Sequence, residues 1–104
     1  VCVHVMGDGA IGMTGMDFET AAREDIPVLE IVLNNFEMAS YDTPFSGHYA
    51  DFAESMGGYG ERVEDPANVA DAIERGVEKT KEGTPVLLEF LTAKYTELSR
   101  PDLE

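Results

Sequence analysis

Apolar residues in this chain gather into three short, nearly continuous runs. They are Val1-Cys2-Val3-His4-Val5-Met6, Val28-Leu29-Glu30-Ile31-Val32-Leu33 and Val86-Leu87-Leu88-Glu89-Phe90-Leu91. Runs of this length without strict alternation predict parallel strands covered on both faces. On that reading Cys2 is a small core thiol and His4 a hydrogen-bonded core imidazole. Glu30 has no evident place in its run. Residues 59–63 read as a weaker strand, because Gly60, Glu61 and Arg62 interrupt it.

Helical spacing fills the intervals. A helix is expected over residues 15–24, with Thr14 and Asp17 spaced as a capping box and Met16, Ala21 and Ala22 toward the sheet. Ala10-Ile11-Gly12-Met13 before it is too glycine-rich to be expected as helix. A second helix is expected over residues 48–56, with Phe52, Ala53 and Met56 on one face and Gly57-Gly58 ending it. The clearest helix follows Asp65 as N-cap and Pro66 at the first position, and Gly83 stands at its far end. Its apolar face is Val69, Ala72, Ile73, Gly76, Val77 and Thr80, while Asp71, Glu74, Arg75 and Glu78 face water. Pro27 and Pro85 open the strands that follow them. Residues 36–47 carry no period and read as a loop. The order is strand, helix, strand, loop, helix, strand, helix, strand. It predicts an α/β fold, a mainly parallel sheet with helices on both faces, whose ligands sit at the carboxyl ends of the strands.

Length and charge narrow the picture. At 104 residues the chain holds at most one domain. Starting abruptly on a core strand, it reads as a partial domain, the C-terminal piece of a longer polypeptide, with residues 1–92 as domain and 93–104 as polar tail. Asp and Glu number 21 against 7 Lys and Arg, a net charge of −14. That sign opposes binding to nucleic acid and to anionic membranes. It suits a high-salt cytoplasm and an ordinary soluble protein alike. With Cys2 the sole cysteine, no intrachain disulfide can form, and a reducing, cytoplasmic setting is expected. No apolar run has the length of a membrane span.

Two turns carry the candidate chemistry. The first strand runs into Gly7-Asp8-Gly9 and the second into Asn34-Asn35. Were those strands parallel neighbours, about 4.8 Å apart, Asp8 and Asn35 would stand side by side. A carboxylate and an amide oxygen there suit a hard cation such as Mg²⁺, which takes oxygen ligands and shares them with phosphate. The main-chain carbonyl of Glu37 can turn toward the same ion. Gly7 and Gly9 allow a bulky anion close to the backbone, and Gly9-Ala10 leaves amides free for phosphate. With so few Lys and Arg, a phosphate site in this chain needs a metal.

Gly7-Asp8-Gly9 followed by Asn34-Asn35 one strand-helix-strand unit later resembles the signature of thiamine-diphosphate-dependent enzymes. The likeness extends through residues 14–22 with Glu19, Asp51-Phe52-Ala53, Gly57-Gly58, Val63, the Asp65-Pro66 helix and Pro85-Val86-Leu87-Leu88-Glu89. It covers residues 1–92, and it is nearest to the acetolactate synthase, oxalyl-CoA decarboxylase and benzaldehyde lyase group. The resemblance implies the thiamine-diphosphate-binding fold, with thiamine diphosphate and Mg²⁺ as cofactors. It implies Asp8, Asn35 and the Glu37 carbonyl as metal ligands, and the Ala10 amide on the diphosphate. Asn34 would shape the turn, and Met38 would lie along the thiazolium side. It also implies an oligomer, dimer or tetramer, of the full-length enzyme acting on a small 2-oxo acid or acyl substrate. The glutamate that activates the cofactor and the apolar residue that bends it belong to parts outside this chain. The fragment alone is therefore expected to be inactive, with no catalytic acid or base of its own.

Simpler roles stand beside these for several residues. His48, at a helix start, reads as a cap or surface group. Met13, Met16 and Met38 read as gap-filling core. Tyr41, Phe45 and Tyr49 are either a lid or ordinary loop anchors. Two other functions compete. A dinucleotide-binding oxidoreductase domain would use Gly7, Gly9 and Gly12 but wants an acid where Asn34-Asn35 stands. A phospho-acceptor signalling domain wants paired acids at the first turn and a late Lys, for which only Asp8 and Lys94 are available.

Overall fold

The computed structural model describes residues 1–38 and 43–94. Four parallel strands form the sheet: β1 (Cys2–Gly7), β2 (Val28–Asn34), β5 (Tyr59–Val63) and β6 (Val86–Leu91), in the order β1-β2-β6-β5. Helices α1 (Asp8–Thr14) and α2 (Asp17–Arg23) join β1 to β2, α3 (Tyr49–Ser55) precedes β5, and α4 (Val69–Lys81) joins β5 to β6. The steps β1 to β2 and β5 to β6 run in opposite directions across the sheet. Crossovers of one hand therefore place α1–α2 and α4 on opposite faces. Two cores result. One packs Ile11, Phe18 and Ala53 on Met6, Val32 and Leu87, and the other packs Ala72 of α4 on Leu29, Val63, Val86, Leu88 and Phe90. The expected fold class and the last two strands hold as predicted.

The α4 side follows its sequence closely. Asp65 caps through its side chain, which accepts from the Ala67 amide at 2.9 Å. One 3₁₀ turn, Pro66–Asn68, leads into α4, whose Ala72, Gly76 and Thr80 are buried. A Cβ on Gly76 would stand 3.0 Å from Leu29 and 3.2 Å from Leu88, so the absent side chain is what lets helix and sheet approach. Gly83 ends the helix with φ of +87°. Arg75 is exposed, as expected, yet it is paired: its guanidinium donates to both oxygens of Glu61 on β5. That guanidinium holds the Glu61 carboxyl below the usual carboxylate range, with help from the Tyr59 hydroxyl.

The β1 side departs from expectation. Only Met6 of β1 is buried; Val3 is 52% and Val5 56% exposed, and Cys2 and His4 are exposed too. The reason is position: β1 is an edge strand, and the α4-side core holds no β1 residue. Neither Cys2 nor His4 is a core group. Glu30, paired with His4 across the strands, is half-buried, and its Oε2 is buried with no partner. Burial raises its carboxyl, Asp17 adds to the rise, and His4 opposes it.

Residues 8–14 are helical despite Gly9 and Gly12, because burying Ile11 against the sheet outweighs their weak propensity. That costs the expected capping box. Thr14 is the last residue of α1, and α2 starts behind Met16 with no side-chain cap. Ala21 turns inward as expected and Phe18 joins it, but Met16 is 64% exposed and Ala22 only half-buried. The expected loop contains a small antiparallel pair, β3 (Glu37–Met38) with β4 (Thr43–Pro44). Tyr41 and the tail beyond Lys94 lie outside the described residues.

Candidate functional site

Parallel pairing in the register Gly7↔Leu33 delivers the two turns to the same edge of the sheet. There Gly7, Asp8, Gly9, Ala10, Asn35, Glu37 and Met38 all line one cleft of about 370 Å³, together with Met13 and Leu33. Every site residue expected from the sequence is in it. Among the described residues no Lys or Arg lines it. An apolar cleft formed by Ile11, Met16, Tyr49 and Phe52 adjoins it, and Met13 belongs to both.

Asp8 is the chemical centre of the cleft. Its residue is 4% exposed, and its Oδ1 accepts from the Gly9 amide at 3.1 Å. Its Oδ2 is buried and has no hydrogen-bond partner among the described residues. An unpaired buried carboxylate oxygen is costly unless something cationic meets it. Asn35 accepts from the Glu37 amide through Oδ1 at 3.2 Å, which fixes the amide's direction and leaves that oxygen a second lone pair. Among the described residues no group of three or more His, Cys, Asp and Glu could hold a metal. One carboxylate with neutral oxygens is a donor set for a hard cation that takes its remaining ligands from a bound phosphate or water. The residues present therefore fit Mg²⁺ carried with a diphosphate.

The turn itself is built by Asn34, which is fully buried. Its Oδ1 accepts from the Phe36 amide at 2.9 Å, and its Nδ2 donates to Glu89 Oε2 at 2.6 Å. Phe36 is held at φ +61°, a left-handed conformation unusual for a bulky side chain. At Gly9 a Cβ would come within 2.9 Å of Met38 and 3.3 Å of Phe45, so hairpin and first turn touch here. Gly7 meets no such crowding. Burial pushes the Tyr49 phenol up, and the carboxylates of Asp8 and Glu89 push it further.

Two residues of this neighbourhood were not singled out from the sequence. Glu89 is wholly buried at the centre of the sheet, accepting from Asn34 and from the Ala50 amide at 3.1 Å. Arg62 lies 3.9 Å from it, with its Cζ 5.5 Å from the Phe36 ring centre. The available signal was a lone acid, Glu89, in the last apolar run, with Arg62 in the weaker strand over residues 59–63. His48 is a surface group: it makes no cap bond, and its Nδ1 meets Arg62 at 2.7 Å.

A parallel α/β domain with a carboxylate and an amide converging at its carboxyl edge belongs to the class that anchors phosphorylated ligands there. Comparison with known proteins makes the class specific. The family described as "Thiamine pyrophosphate enzyme, C-terminal TPP binding domain" matches residues 1–90, and the chain belongs to it. A sulfoacetaldehyde acetyltransferase of Alcaligenes xylosoxydans is 31% identical over 85% of this chain and 17% of its own length. An acetolactate synthase large subunit of Mycobacterium tuberculosis is 28% identical over 86% of the chain and 18% of its own. The chain thus spans about a sixth of the length of these relatives. A thiamine diphosphate-dependent 4-hydroxybenzoylformate decarboxylase of Rhodococcus jostii has the same fold, with a TM-score of 0.82 at 20% identity over 91% of this chain and 20% of its own. Among the described residues no helix is long and apolar enough to cross a membrane.

Proposed function

We propose that this chain is the Mg²⁺- and diphosphate-anchoring part of an acetolactate synthase-like enzyme that forms or cleaves C–C bonds, or decarboxylates, on 2-oxo acids or acyl donors. The observation that carries the reading is the buried, unpartnered Oδ2 of Asp8 in a cleft shared with Asn35 and Glu37. Asp8, the Asn35 amide oxygen and the Glu37 carbonyl would hold the ion, and the Ala10 amide would meet the diphosphate. Thiamine diphosphate, when bound, supplies a nucleophilic carbon and an electron sink beside the substrate carbonyl. The chain's own contribution is to bind and orient. We assign no general acid or base among the described residues of the cleft, and the isolated fragment would be inactive. The intact protein would be a homo-oligomeric cytoplasmic enzyme, with residues 93–104 as a tail outside the domain.

The competing readings lack support. A dinucleotide site needs an acid closing β2, and β2 closes on Asn34, whose amide is engaged by Glu89 and Phe36. A phospho-acceptor domain needs paired acids at the first turn, and among the described residues that line the cleft the only acids are Asp8 at that turn and Glu37 on β3. Calorimetry of thiamine diphosphate with Mg²⁺ on the full-length parent protein tests the proposal. Asp8→Ala should weaken binding at least ~100-fold, the scale expected when a charged ligand of a buried ion is lost. Equal binding by both forms would overturn the metal assignment, and tight binding of a nicotinamide dinucleotide instead would favour the first rival.

A further inference from the structure

We propose that Glu89 is a positioning residue for cofactor-metal binding, acting by fixing the orientation of the Asn34 side-chain amide. The inference rests on the metal reading above and adds a residue to it. A carboxylate buried on every side within a strand is an expensive choice for mere packing. Glu89 nevertheless has each oxygen matched to one donor, Asn34 Nδ2 for Oε2 and the Ala50 amide for Oε1. Because Glu89 can only accept from Asn34, it forces Nδ2 toward itself and Oδ1 the other way. Oδ1 then receives the Phe36 amide, and that bond accompanies the left-handed Phe36. The reversal of the chain at Phe36 in turn brings Asn35 and Glu37 to the cleft that contains Asp8. Arg62 lies close to Glu89 and over the Phe36 ring, so its charge offsets the carboxylate and its plane backs the same turn.

The alternative is that Glu89 only anchors α3 through Ala50. Reversing the polarity of the Asn34–Glu89 contact separates the two. In Glu89→Gln, an NH₂ group must face either Asn34 Nδ2 or the Ala50 amide, donor against donor, and the Asn34 amide loses its fixed direction. In Asn34→Asp/Glu89→Gln, the amide at position 89 donates to the carboxylate at position 34 while still accepting from Ala50. The second oxygen at position 34 still accepts from Phe36, so all three bonds are kept and only the one between positions 34 and 89 has its direction exchanged.

The experiment titrates Mg²⁺ by calorimetry into the full-length protein at fixed thiamine diphosphate, and records the melting temperature of each cofactor-free form. Glu89→Gln should raise the Mg²⁺ half-saturation roughly 10- to 100-fold, the range typical for groups that orient metal ligands from behind. The double variant should recover most of that loss. Asn34→Asp alone, with two carboxylates facing each other, should not. If Glu89→Gln fails to fold, a double variant that folds and binds still supports the inference. It is overturned if Glu89→Gln melts lower but binds Mg²⁺ like wild type. It is equally overturned if the double variant binds no better than Glu89→Gln, or if Asn34→Asp alone binds like wild type. Wild-type protein that binds no Mg²⁺ with thiamine diphosphate would instead remove the reading on which the inference stands.

Discussion

The two halves of this small sheet solve different problems. Around α4 the local preferences agree: Asp65 caps, Gly76 permits close packing, Gly83 ends the helix, and Arg75 is paired with Glu61 of β5. At the β1–β2 edge the preferences conflict. Asp8 keeps a buried oxygen without a partner, Phe36 takes a left-handed conformation, and Val3 and Val5 are left exposed. Consistent regions secure a fold, and inconsistent ones mark where the chain meets something else. The contrast teaches that cost and function coincide at this edge.

If that contrast is right, substitutions in the two halves separate stability from binding. Asp8→Ala has the largest expected effect: cofactor and Mg²⁺ binding collapse while the melting temperature of the unloaded protein holds or rises, since a buried unpaired oxygen is removed. A clear fall in that temperature would blur the distinction. Gly76→Val should do the reverse. Its side chain would collide with Leu29, Leu88 and Val86, costing about 1–3 kcal/mol by denaturant unfolding and leaving Mg²⁺ affinity in the folded protein unchanged.

The smallest effect concerns Glu30. Burial raises its folded-state pKa above the unfolded value. Its stabilising contribution is therefore that of the protonated form, present below the unfolded pKa and lost as pH rises through the folded one. Glu30→Gln should accordingly stabilise the protein at pH 7, on the order of 0.5 kcal/mol after solvent screening. The gain should vanish as pH falls below the unfolded carboxylate pKa, which melting curves from about pH 3 to 8 would show. A gain that stays constant with pH would mean that the charge of Glu30 is not what matters.

Much of the fold was legible because strand runs and helix caps are local signals. The Asp65 helix and the last strand could be read from capping chemistry and apolar pattern, and the weaker signal at Tyr59–Val63 also proved to be a strand. What failed was non-local. Exposure of Cys2 and His4 depends on which strand lies at the sheet edge, and helix α1 depends on where Ile11 is buried. The convergence of Asp8, Asn35, Glu37 and Met38 was legible, since strand ends and parallel order fix it. Glu89 and Arg62 were not. Their pairing with Asn34 and Phe36 crosses three strands, and only the observed sheet order brings them together.

The central claim is that Asp8 and Asn35 jointly hold a divalent ion. Anomalous diffraction from crystals of the full-length protein grown with Mn²⁺ and thiamine diphosphate tests it most directly. One strong peak is expected at ligand distance from Asp8 Oδ2, the Asn35 side-chain oxygen and the Glu37 carbonyl. A fully bound cofactor with Mn²⁺ elsewhere, and Asp8 Oδ2 still unpaired, would contradict it.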